Sequence, residues 1–145
     1  MTVYVVDASV ASRFILVEDL SDKAKLVLED FLEGKLDLKA PKLLVYEVGN
    51  TLWKAVKQGF INLDEALKNF SHFIKLRINS IELDGKELED VLWWSVKNQT
   101  CYYDSVYVKS SKKIGAPLLT ADDTLCEKAR KEILTLHLKD YQKQV

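Results

Sequence analysis

The run Val3-Tyr4-Val5-Val6 offers no polar face. Successive side chains in a strand point to opposite sides of a sheet, so a run that is apolar throughout must be covered on both sides. Such a segment reads as a central strand of a parallel sheet. Leu118-Leu119-Thr120 is a second short run of this kind. Parallel strands need crossover connections, usually helices, and the sequence between these runs carries helical patterns. The expected fold class is α/β, with a mostly parallel sheet.

End signals place the crossovers. Residues 8–16 read as a short helix. Ser21 is placed to cap a helix over residues 22–33, with Gly34 as its stop. Residues 36–40 read as an edge-like strand. Pro41 opens a helix reaching Gln58, where Leu44, Val48, Leu52 and Val56 recur every four residues. Asn62 and Glu65 form a variant capping box for a helix over residues 63–76. A strand over 78–83, a helix capped by Asp84 and a helix over 103–113 follow. After Leu118–Thr120, Asp122 or Asp123 starts a helix reaching Lys131, and residues 133–136 make a last strand. The polar tail beyond His137 is expected to be exposed.

A chain of 145 residues, 48% apolar, fits one domain with one core. Its net charge of -1 lacks the basic balance of many nucleic-acid binders, yet allows an enzyme that touches a few phosphates. Cys101 and Cys126 form neither a metal motif nor a disulfide framework, so a cytoplasmic location is expected. The N-terminus does not read as a signal peptide. No apolar run approaches the roughly 18 residues that span a bilayer.

Four acids stand where apolar stretches meet helices: Asp7, Glu47, Asp104 and Asp122. Asp7, Asp104 and Asp122 can each be read as a helix cap, worth about 1 kcal/mol. Glu47 is different. It lies inside a helix among Leu43, Leu44, Val45 and Val48, with Asn50 on the same face. A salt bridge, for which Lys54 is the candidate, is the alternative to a site role. Asp7 and Asp122 both end sheet strands and therefore share one sheet edge, where ligands of open α/β sheets bind.

Converging carboxylates repel. Two unit charges about 4 Å apart cost about 4 kcal/mol at an effective dielectric near 20. A divalent cation removes that cost, and an all-oxygen set favours Mg²⁺ or Mn²⁺ over Zn²⁺. Ser9 and Thr120 can hydrogen-bond a carboxylate, a metal-bound water or a phosphate, or serve only local capping. Arg13, four residues after Ser9, is either a phosphate ligand or a surface residue.

Four segments together resemble the PIN-domain ribonucleases, most closely the VapC toxins of VapBC toxin–antitoxin pairs. They are Val5-Val6-Asp7-Ala8-Ser9, the stretch from Pro41 to Asn50, Tyr102-Tyr103-Asp104-Ser105-Val106-Tyr107, and Leu118-Leu119-Thr120-Ala121-Asp122. The resemblance covers nearly the whole chain and implies a single PIN domain over 1–145. The implied architecture is a three-layer α/β/α sandwich with a mostly parallel central sheet. It places metal-binding acids at Asp7, Glu47, Asp104 and Asp122, with Asn50 accompanying Glu47 and hydroxyls at Ser9 and Thr120. It also implies a Mg²⁺- or Mn²⁺-dependent endoribonuclease, a homodimer, and a cognate antitoxin through which any DNA contact is made. A housekeeping RNA-processing nuclease and a catalytically silent RNA- or protein-binding module remain alternatives.

Two features depart from the family pattern. Asp123 directly follows Asp122, and Asp122 is the better match to the Thr-x-Asp position. Lys109-Ser110-Ser111-Lys112-Lys113 stands where small apolar residues are usual, and is read as a solvated face rather than a basic surface. Of Trp53, Trp93 and Trp94, most are expected to pack in the core.

Overall fold

The computed structural model describes residues 1–145. Its single sheet has five parallel strands in the order β3-β2-β1-β4-β5. These are β1 (Thr2–Val6), β2 (Leu36–Pro41), β3 (Asn79–Ile81), β4 (Leu118–Thr120) and β5 (Thr135–His137). Val5 and Val6 point to opposite faces and are both fully buried, so helices cover both sides of β1. The result is a three-layer α/β/α sandwich.

Seven α-helices make the connections: α1 (Ala8–Ala11), α2 (Ser21–Leu32), α3 (Leu43–Lys57), α4 (Leu63–Lys75), α5 (Gly85–Lys97), α6 (Tyr102–Ile114) and α7 (Asp123–Ala129). α6 lies across β1, β2 and β4, α5 packs on α6, and α4 packs on α3. Gly115 ends α6 at φ 67°, the left-handed conformation that favours glycine. The expected caps at Asn62 and Asp84 form, the latter as a full capping box with Glu87.

The strand order positions the site. From β1 the chain steps outward to β2 and β3, then returns to the other side of β1 for β4 and β5. The connections after β1 and β4 therefore diverge, which makes the carboxyl ends of these two strands the place where an open α/β sheet binds ligands. Asp7 and Asp122 lie in the turns that leave them.

Several expectations are corrected. β2 is an interior strand between β1 and β3, not an edge; strand order is a long-range property that a short segment does not carry. Pro41 closes β2, and α3 begins at Leu43. The helix after Asp7 stops at Ala11 and passes into a 3₁₀ turn over Ser12–Phe14. Ser21 is the first residue of α2 rather than its cap: its hydroxyl accepts from Glu18 N and donates to the Leu16 carbonyl, stitching the preceding turn.

The C-terminal tail is not simply exposed. Leu138 and Tyr141 are fully buried, and the Tyr141 hydroxyl donates to buried Asp30. Ser110 and Ser111 are also buried, so the α6 run is not a uniformly solvated face. Its lysines pair outward, Lys109 with Asp90, Lys112 with Glu132 and Lys113 with Glu87. Only Trp94 packs against the core; Trp53 and Trp93 are exposed, because neighbours on a helix point about 100° apart.

Candidate active site

Asp7 caps α1, accepting from Val10 N at 3.2 Å. Capping leaves the carboxylate further capacity. Ser9 Oγ donates to Oδ1 at 2.6 Å, and the Thr120 hydroxyl donates to Oδ2. Thr120 Oγ1 in turn accepts from Asp122 N at 3.1 Å, while Ser9 Oγ accepts from Ala121 N at 2.8 Å. The turns after β1 and β4 are thus laced together by two hydroxyls. Asp7 is only 4% exposed, and burial pushes its carboxyl up to about 6 against the opposing pull of these donors.

Asp104 lies in the first turn of α6 but does not cap it; Cys101 occupies that position. Its carboxyl is also pushed up to about 6, by burial first, then by the negative charges of Asp122 and Glu47. Asp7 in turn feels the charge of Asp104. Asp104 is thus the acid through which the other three are electrostatically linked.

Glu47 is partly buried in the middle of α3, and its Oε1 accepts from the Tyr107 hydroxyl at 2.6 Å. No salt bridge joins it to Lys54 or any other base. Asp122 caps α7, accepting from Leu125 N at 2.9 Å, and its neighbour Asp123 is turned to His137 Nε2 at 2.7 Å. His137 Nδ1 accepts from Lys139 N, so the proton sits on Nε2, facing Asp123. Asp123 therefore has its own partner, whereas Asp122 is the one whose charge reaches Asp104.

The supporting residues divide. Ser9 and Thr120 are integral to the acid cluster. Asn50 is exposed and forms no side-chain hydrogen bond within the chain. Arg13 donates to the Ser9 carbonyl at 2.5 Å and to the Asp19 carbonyl at 2.6 Å, so its contacts are with the backbone of its own loop. Tyr107 and the His137–Asp123 pair escaped the sequence reading. The i, i+3 spacing of Asp104 and Tyr107 on a helix was the available signal for the first.

As the side chains stand, no three His, Cys, Asp or Glu groups are arranged to hold one ion. The charge balance nevertheless fits a cation. Asp7, Glu47, Asp104 and Asp122 make no salt bridge, and two of the four carboxyls are held well above their ordinary range. The chemistry of this all-oxygen donor set suits a hard divalent ion.

No family model matches the sequence. Individual relatives do. Ribonuclease VapC3 of Pyrobaculum aerophilum is 36% identical over 129 residues, covering 86% of this chain and 92% of that protein. Ribonuclease VapC1 of Mycobacterium tuberculosis is 28% identical over 82% of this chain and 89% of its own. Exonuclease VapC9 of P. aerophilum is 30% identical over 61% of this chain and 64% of its own. Among solved structures, PAE2754 from P. aerophilum superposes with a TM-score of 0.72 at 22% identity, over 95% of this chain and 90% of that one. FitAcB from Neisseria gonorrhoeae gives 0.66 at 11% identity, over 97% of this chain and 100% of that one. The structural likenesses concern the fold. The identity to VapC3, sustained over nearly its full length, carries the assignment: the chain belongs to the VapC ribonuclease family.

Proposed function

We propose that this protein is a divalent-metal-dependent endoribonuclease and the toxin of a toxin–antitoxin pair. The observation that carries the metal dependence is Asp104, whose carboxyl is pushed up to about 6 by burial and by the charges of Asp122 and Glu47, with no basic side chain paired to any of the acids. RNA as substrate is supported by membership of a family whose relatives are named ribonucleases.

Asp7, Glu47, Asp104 and Asp122 would hold Mg²⁺ or Mn²⁺. When bound, such an ion supplies charge neutralisation at the phosphate and favours deprotonation of a water. The chain's own residues do the rest. Ser9 and Thr120 orient the Asp7 carboxylate by one hydrogen bond to each oxygen. The Val10 and Leu125 backbone N–H groups fix Asp7 and Asp122 at the starts of α1 and α7. The proposed path of the RNA runs over the carboxyl edge of the sheet, where the connections after β1 and β4 part.

A cytoplasmic homodimer held in check by a cognate antitoxin completes the proposal. No helix is long and apolar enough to cross a membrane. The test is cleavage of matched linear and circular RNAs with Mg²⁺ or Mn²⁺, alongside Asp7→Asn and Asp104→Asn. Cleavage of both RNAs by the wild type alone is expected. Activity confined to linear RNA would replace the endonuclease with an exonuclease, and equal activity in the variants would refute the site.

A further inference from the structure

Three of the four acids, Asp7, Glu47 and Asp122, have a donor that aims them. Asp7 and Asp122 are aimed by backbone N–H groups at helix starts. Glu47 has no such help, because backbone N–H groups in the middle of α3 are already spent on the helix. Its only protein donor is Tyr107, whose hydroxyl lies 2.6 Å from Oε1.

Tyr107 follows Asp104 by three residues on α6, so both face the same way. The side chain is 1% exposed and its ring is held in the core cluster. A tyrosine phenol ordinarily titrates at about 10, so it is a neutral donor at physiological pH. The neutrality matters. A lysine at this place would also hold Glu47 but would cancel its charge; a phenol holds it and leaves the charge in place.

We propose that Tyr107 is a positioning residue that fixes the Glu47 carboxylate toward the acid cluster through Oε1, leaving Oε2 without a protein donor. This rests on the metal-dependent reading of the site. Tyr107 touches neither RNA nor the reacting phosphate, and acts through Glu47 alone.

The test is Mn²⁺ binding by calorimetry, with kcat and KM for RNA cleavage, on Tyr107→Phe, Glu47→Gln and the double variant. Tyr107→Phe keeps the ring and removes only the donor. It is expected to weaken Mn²⁺ binding about 10-fold and to lower kcat with KM for RNA unchanged. The double variant is expected to match Glu47→Gln, because residues acting through one another are not additive. Wild-type Mn²⁺ affinity in Tyr107→Phe, or a double variant well below Glu47→Gln, overturns the inference while leaving the nuclease reading intact. A wild type that neither binds Mn²⁺ nor cleaves RNA overturns both. Should Tyr107→Phe fail to fold, the Tyr107 hydroxyl proton in the wild type gives the answer by NMR. It is expected to be protected from exchange and to shift on adding Mg²⁺, and a freely exchanging, unshifted proton overturns the proposal.

Discussion

The Thr120 hydroxyl donates to Asp7 Oδ2 across 113 residues of sequence. It joins the end of β4 to the end of β1, and so ties together the two turns that carry Asp7 and Asp122. Thr120→Val keeps the shape and removes the hydroxyl. Losing a buried donor costs about 1–3 kcal/mol of stability. It also lets the Asp7 carboxyl rise further, since this hydrogen bond now pulls it down. The acidic limb of the pH–rate profile for RNA cleavage is expected to move to higher pH in this variant.

Asp104 opposes folding while it is ionised. Its carboxyl lies near 6 in the folded chain against an ordinary 3.8, so the folded state binds more protons between those values. Stability from this group therefore falls as pH rises from about 4 to about 6, then stays flat. The same sign holds for Asp7. Asp104→Asn is expected to stabilise the metal-free protein at pH 7.5 by about 1 kcal/mol, after allowance for partial solvent screening. In thermal melts that is roughly 2–4 °C in Tm, with cleavage abolished.

Metal addition should reverse that relation. A cation that binds only the folded chain raises Tm in proportion to the logarithm of its concentration. Millimolar Mn²⁺ is expected to raise the wild-type Tm at pH 7.5, and less at pH 5, where protons occupy Asp7 and Asp104. Asp104→Asn should lose most of the effect. Equal metal-induced shifts at both pH values would contradict the assignment.

The tail carries a prediction unconnected with catalysis. Asp30 is fully buried; burial pushes its carboxyl up, but Gln144 N, the Tyr141 hydroxyl and Lys143 outweigh it and hold it below the usual range. A lowered carboxyl adds stability above its unfolded value that is lost as pH falls through the folded one. Deleting residues 141–145 removes these donors together with the buried Tyr141 side chain. Urea unfolding at pH 7 is expected to show a loss of about 3 kcal/mol, shrinking in acid. Tyr141→Phe should cost about 1–2 kcal/mol.

The parts of the fold legible in the sequence were those that local chemistry decides. β1 and β4 were readable because a largely apolar run has only one comfortable environment, and Asp84 because it immediately precedes the helix that it caps. The place of β2 was not readable, since nothing within Leu36–Pro41 says which neighbours flank it. The burial of Tyr141 depends on Asp30, more than a hundred residues earlier. At the candidate site, Asp7 and Asp122 were legible as acids at strand ends, and Glu47 as an acid among apolar helix positions. What sets Asp123 apart from Asp122 is a distant partner, His137, and nothing local to Tyr107 names its hydroxyl partner, which sits 60 residues away.

The return of the chain to β1's free side also sets a timetable during synthesis. Until Leu118–Thr120 leaves the ribosome, that side of β1 has no partner, Asp7 has no Thr120 hydroxyl, and Asp122, two residues further on, has not emerged either. A nascent chain shorter than about 120 residues therefore lacks a complete acid cluster. On the proposed assignment, the last of the four acids joins the other three only as β4 docks beside β1.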